Sequence, residues 1–480
     1  MNKPANQKAV LSHPLQRKED FVNSISSISL VTIRSLHPPN GQIGHTALAA
    51  ISLLILTSSV FCFAQSYGNN SLINDEPVQL KEDLTAVQVP VIDAYRYLHE
   101  HPELGGKEVL AQKYIADRLK SAGYTEFIKS PSAPTSVIAV LRSGSPGPTI
   151  ALRAELDGRK TQEPSQHNPC SMIPGLMHSC GHDAHAAILM GVAEVLIRQK
   201  AHLNGTVVFL FQPAEETAGG ADDIVRDSIL QKMEVKAIYA LHVAPKMPVG
   251  TISIAPGCIM AGSNYFTLTI RGKGSHAAVP SSGNDVLTAA TSIASNLAQL
   301  PARRLSVTSR PCVISLTYFK AGDSSVSNIL PDSAVMQGTI RSFEPLENPE
   351  LEESEISISG LIDTYLTGAA SAYSVSYSFN LRKGAPPLKN DSLLRAEVIR
   401  SLPQNWNGVI QTNSNRTMFS EDFAFYTDVV PSLYISLGIE REDRGSVDVH
   451  MKDFTIHPDA LEVGTRLMTL IALNKTNSIR

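Results

Sequence analysis

Hydrophobic and polar positions change period several times between residues 85 and 260. From about Val89 to Leu119 the apolar residues recur at helical spacing, interrupted at Pro102 to Gly106, where Pro-Glu-Leu-Gly-Gly breaks the run. Segments 136–142 (SVIAVLR) and 149–156 (TIALRAEL) then read as strands separated by the turn-rich SGSPGP. A helix is predicted from His182 through HAAILMGVAEVLIRQ, followed by the dense apolar strand TVVFLFQ at 206–212. After a further helix comes the short strand AIYALHV at 237–243. Strands alternating with helices predict an α/β domain, with polar residues delivered at the carboxyl ends of parallel strands.

Past Pro256 the pattern shifts. NYFTLTIRGKG (264–274) alternates like an edge strand, DVLTAATSIASNLAQL (285–300) has helical spacing, and CVISLTYFKAG and SAVMQGTIRSF within 312–343 read as two more strands. A helix through ESEISISGLIDTYLTGA and the alternating strand AYSVSYSFN (372–380) complete a β-α-β-β-α-β order. That order suits a small sheet-and-helix domain inserted into the first. The predicted division is a catalytic domain at 85–260 and 379–480, interrupted by an α+β domain at 261–378.

The amino-terminal part differs. Ala47 to Ala64 reads ALAAISLLILTSSVFCFA, close to the length that crosses a bilayer, and its ending also resembles a signal-peptidase site. Residues 1–64 are expected to be a leader and 65–84 a polar linker. Signal peptide and membrane anchor both remain open, and both export the folded domain to a periplasmic or secreted location. Forty-one Lys and Arg stand against forty-five Asp and Glu, with no window interleaving basic and aromatic residues, so a nucleic-acid partner is not expected. Five cysteines in 480 residues are too sparse for a disulfide scaffold.

Candidate chemistry gathers in three places. MHSCGHDAHAA (177–187) sets His178, Cys180, His182, Asp183 and His185 between a Pro-Gly loop and a helix, and imidazole and thiolate suit zinc and related metals. Asp183 could orient an imidazole or bridge metals. In FLFQPAEETAGGA, Glu215 and Glu216 follow a strand and Pro213, and on extended backbone adjacent carboxylates point different ways, which allows one to bind metal while its neighbour faces substrate and water. YALHVAPKMPVG puts His242 at the end of another strand; alone it is as readily structural as functional.

Together with GKGSHAAVP, SNILPDSAVMQGTIRSF and SEDFAFY, these segments resemble the amidohydrolase branch of the M20 metallopeptidases, which includes N-acyl-amino-acid, hippurate and auxin-conjugate hydrolases. The resemblance covers roughly 85 to 475 as ordered motifs. It implies a dinuclear-metal domain of mixed sheet, with an inserted α+β lid or dimerisation domain and a homodimer. It makes Cys180 a metal-bridging thiolate and His182, Glu216, His242 and His450 the remaining ligands of two divalent ions, Zn2+ or Mn2+. It makes Glu215 the general base assisting attack of metal-bound water on a small N-acyl or N-aroyl amino acid. His276 would reach a partner's site, and Asn328 would serve the substrate cleft. His450 lies in SVDVHMKDF, where the family more often has a Leu-His-Ser-Pro-like segment, and its assignment rests on position. RAELDGRKTQE replaces the family's first aspartate by Glu155, keeps Asp157 and loses the following Ala-Leu-Pro.

Three other readings compete. An M20-like dipeptidase would use the same centre on a peptide bond. A catalytically weakened metal-binding paralogue would follow from the change at Glu155. A cysteine-nucleophile hydrolase built on Cys180 with His182 or His178 leaves the glutamate pair and His242 without a common purpose.

Overall fold

The computed structural model describes residues 77–477, apart from 218, 353, 404–405, 407–409 and 412–415. The apolar run at 47–64 and the polar stretch at 65–76 lie outside the described residues. Among the described residues no helix is long and apolar enough to cross a membrane.

The larger sheet has eight strands in the order β1 (Glu126–Ile128), β2 (Val137–Arg142), β4 (Thr206–Gln212), β3 (Thr149–Glu155), β5 (Val235–Pro248), β12 (Ser432–Glu440), β6 (Ile252–Ser253) and β11 (Ile410–Gln411). Strands β4, β3, β5 and β12 run parallel, while β1, β2 and β6 pair antiparallel, so the sheet is mixed. The parallel core strands are apolar almost throughout, as burial on both faces requires, and β4 is buried at every position. One face is covered by α1 (Val78–Glu100), α3 (His182–Arg198) and α7 (Asp459–Asn477), the other by α4 (Gly220–Arg226) and the turns around Phe423 to Tyr426. Helix α3 is buried on nearly all sides, which explains why its sequence lacks a polar stripe. Helix α2 (Val109–Ser121) closes the edge beside β2.

The chain passes from β3 through α3 to β4 on one side of β3, then to β5 on the other side. This reversal opens a crevice at the carboxyl ends of β3, β4 and β5, where doubly wound sheets place their sites.

The second sheet has the order β8 (Cys312–Ala321), β9 (Ser333–Ser342), β7 (Gly262–Arg271) and β10 (Ser376–Lys383), all antiparallel. Helices α5 (Val286–Arg304) and α6 (Ile358–Ala372) cover one face around Phe266, Leu268, Ile293, Met336 and Ile362. Arg341 on β9 donates to Ser420 Oγ at 2.5 Å, fastening this sheet to the larger domain.

The structure departs from the sequence expectation in three places. The expected linker to residue 84 already contains helix, because α1 starts at Val78 and buries Leu80 and Leu84. Strand β10 stays in the smaller sheet as far as Lys383, past the expected boundary at 378. Strand β7 is an inner strand, and its alternation reflects one helix-covered and one open face.

Candidate active site

The segment carrying Cys180 and His182 is fixed by its entry into α3. Gly181 has φ 81°, a left-handed conformation that favours glycine, and a Cβ there would lie 2.6 Å from a Val243 methyl carbon. Asp183 in the first turn complements the positive helix end. Glu215 and Glu216 lie on a short 3-10 turn after β4 instead of extended backbone, entered through Ala214 at φ 58°. His242 lies within β5, and His450 sits in a loop at φ 68° with its N–H donating to Ser179 O at 2.7 Å. That bond attaches the late histidine to the Cys180 segment.

Ligand-type atoms then converge. Cys180, His182 and His242 lie within 4.8 Å of one another, as do Cys180, Glu216 and His450. Cys180 is common to both groups. Its Sγ lies 3.5 Å from His242 Nε2, and Glu216 Oε1 lies 3.4 Å from His450 Nε2. The imidazoles present one nitrogen each. His182 Nδ1 donates to Asp157 O at 2.8 Å and His242 Nδ1 to Val243 O at 2.8 Å, which leaves Nε2 of each ring without a proton and able to accept. His182 Nε2 is buried with no hydrogen-bond partner. A buried imidazole nitrogen facing a thiol and two carboxylates fits a cation of the zinc or manganese class.

Burial pushes the Cys180 thiol up to about 12, against the pull of His182, so the thiolate requires a cation. Burial and the neighbouring His185 push His242 down to about 3, so it stays neutral, as a ligand must. Burial would raise Glu216, but His450, His182 and Arg159 hold it ionised near about 2.

Glu215 is different. Burial, then the charges of Glu421 and Asp422, raise its carboxyl well above the usual range. Its Oε2 lies 3.9 Å from His182 Nε2, beside the ligand groups. Beneath it Arg153, fully buried, donates to Gln212 at 2.8 Å, Glu421 at 2.9 Å and Asp422 at 2.7 Å, and also to Glu155. One guanidinium thus faces three carboxylates.

The remaining sequence candidates separate. Glu155, His182 and His185 also lie close together, but His185 Nδ1 donates to Glu155 Oε2 at 2.8 Å and its Nε2 accepts from Val243 N at 2.9 Å. Both ring nitrogens of His185 are engaged, so Glu155 acts as a brace behind His242. Asp183 faces away from the thiol, pairing with His99 at 2.6 Å. His167 hydrogen-bonds Glu163 at 2.8 Å. His276 and Asn328 come together on the smaller domain, where Ala277 N donates to Asn328 O at 2.9 Å and both residues are exposed. Neither makes a hydrogen bond or ion pair with the Cys180 groups within this chain. Ala278 N donates to His276 Nδ1 at 3.1 Å, so the ring proton sits on Nε2, which is left as a donor.

Several residues packed around the site carry no sequence signal: Arg153, Gln212 and Arg159. Arg153 meets Glu421 across a separation of 268 residues, which no local pattern reports.

This geometry defines a candidate site for two cations, and comparison gives the family. Residues 151–474 match Peptidase family M20/M25/M40, and the chain belongs to that family. It is 32% identical over 395 residues to the N-acetylcysteine deacetylase of Bacillus subtilis, covering 82% of this chain and 99% of that one. It is 30% identical over 443 residues to an IAA-amino acid hydrolase of Arabidopsis thaliana, covering 89% and 96%. Among solved structures, Bacillus subtilis YxeP, a dinuclear metal-binding peptidase of the M20 family, aligns with TM-score 0.70 and 30% identity over 82% of this chain and 100% of that chain.

Proposed function

We propose that this protein hydrolyses the amide bond of small N-acyl or N-aroyl amino acids. The observation that carries the reading is the thiol of Cys180 shared between two separate three-donor groups, with Glu215 beside both. Cys180, His182, Glu216, His242 and His450 would hold two divalent cations, which when bound supply Lewis acidity toward a carbonyl and toward water. Glu215 is the proton carrier. Its place beside the ligand groups suits a group that accepts a proton from water and returns it to the departing amine nitrogen. Asp157 fixes the backbone of the glutamate pair, accepting from Glu215 N at 3.1 Å and Glu216 N at 3.0 Å. The deacetylase and the auxin-conjugate hydrolase among the relatives support an acylated amino acid as the substrate class.

His276 and Asn328 belong to the same proposal, as contributors to the site of a second copy. The exposed His276 Nε2–H would donate to the amide oxygen as charge develops there. A homodimer through the smaller domain is supported by exposed Val307, Tyr318, Phe319 and Ile329 and by the open edge of β8. Mixing inactive His276→Ala with inactive Glu215→Gln chains is expected to restore part of the activity, and a strictly additive zero contradicts the shared site.

The direct test is turnover on a panel of N-acyl amino acids and dipeptides. Glu215→Gln is expected to lower kcat by about 10²–10⁴ with metal content retained. Undiminished turnover in Glu215→Gln removes the proton-transfer role, and turnover of dipeptides alone moves the substrate class to peptides.

A further inference from the structure

We propose that Glu108 is a positioning residue for Glu215, acting through the backbone of Ala214. The inference rests on the reading of Glu215 as the proton carrier. It assigns work to the Pro-Glu-Leu-Gly-Gly break, which the sequence shows only as an interruption between helices.

Glu103, Leu104 and Gly105 of that break lie against the elements that carry the site. The Glu103 carboxylate accepts from Val109 N at 3.1 Å and Ala111 N at 2.9 Å, fixing the start of α2. Glu103 O accepts from Gly158 N at 2.7 Å, and Leu104 bridges to Gly158. The segment is thereby laid along the strand end that carries Asp157. Gly105 then passes so close that an added Cβ would meet Ala214 Cα at 3.0 Å and Asp157 Oδ2 at 3.2 Å.

Glu108 completes the contact. Its side chain is wholly buried; Oε1 accepts from Gly106 N and Ala214 N, both at 2.8 Å, and Oε2 accepts from Thr135 Oγ1 at 2.7 Å. Among the described residues no cation pairs with it. Three successive backbone N–H groups, of Ala214, Glu215 and Glu216, therefore end on two carboxylates, Glu108 and Asp157. Ala214 lies at φ 58°, which a residue bearing Cβ adopts only when its surroundings enforce it. Among the described residues Glu108 makes no hydrogen bond or ion pair with the Glu215 side chain or with any proposed metal ligand. Its effect must pass through the turn, which sets where the Glu215 carboxylate lies.

The experiment uses the metal-loaded full chain with Glu108→Ala, Glu108→Gln and Gly105→Ala, and Glu215→Gln as control. Glu108→Ala is expected to lower kcat by about 10–100-fold while KM stays within about twofold and metal content is unchanged, as for other supports of a reacting group. Hydrogen exchange should quicken at the Ala214 to Glu216 amides in this variant, loaded or not. Glu108→Gln keeps an oxygen for both N–H groups, and its amide can face the Thr135 hydroxyl, so it should recover kcat to within about threefold. Gly105→Ala should reproduce the kcat loss by pressing on Ala214. A folded Glu108→Ala with wild-type kcat, or with its loss confined to KM, overturns the proposal. If Glu108→Ala does not fold, Gly105→Ala with wild-type kcat overturns it and a selective kcat loss there supports it. Full activity in Glu215→Gln would instead overturn the proton-carrier reading itself.

Discussion

The imidazole of His99 is gripped at both nitrogens by carboxylates, Nδ1 by Asp183 at 2.6 Å and Nε2 by Glu163 at 2.9 Å. Burial alone would lower its proton affinity, but these two bonds raise it from 6.5 to about 10. A group whose folded pKa is raised stabilises the fold fully below its unfolded pKa, and the contribution fades as pH climbs toward the folded value. The margin in Tm between the wild type and His99→Gln should therefore be largest below pH 6.5 and shrink steadily toward pH 10. Thermal unfolding at several pH values measures this, and a margin that is flat or grows over that range contradicts the assignment. His99 illustrates what sequence reading misses. The cluster at 177–187 was visible because its ligand-type residues are neighbours, whereas His99 and Asp183 meet only after 84 residues of folding. Glu155 is the opposite case: the sequence exposed the departure from the family segment, but only the contacts with Arg153 and His185 show what the longer side chain reaches.

Elements were legible where their burial is uniform. The strand predicted at 206–212 matches β4 residue for residue, because a strand buried on both faces is a continuous apolar run. The first helix starts at Val78, earlier than the spacing from Val89 predicts, for a physical reason. Leu80, Leu84, Val87, Val91, Ala94 and Leu98 have helical spacing, but Pro90 lies among them, and proline normally argues for a helix start. Here it is carried inside α1, and the Pro90 carbonyl accepts from Arg118 of α2. The glutamate pair shows a second limit. Opposed side chains were inferred from extended backbone, while the structure separates them on a 3-10 turn entered through a left-handed alanine, a conformation fixed by contacts from Gly105 and Glu108 rather than by local propensity.

At the scale of the whole molecule, the mixed sheet supplies the site and the inserted domain supplies residues that the single chain leaves exposed. The five proposed ligands come from the start of α3, the turn after β4, strand β5 and a loop near the end of the chain, and the reversal of strand order draws them to one crevice. The sequence places His450 by its position alone; in the structure its N–H donates to Ser179 O and its ring lies beside Glu216 and Cys180. In the proposed function Cys180 joins two cation sites. Elemental analysis of the dialysed protein tests it most directly, with circular dichroism to verify folding. About two divalent ions per chain are expected in the wild type and about one or fewer in a folded Cys180→Ala variant. A folded Cys180→Ala chain that still holds both ions, or a wild type that holds none after loading with zinc or manganese, would contradict it.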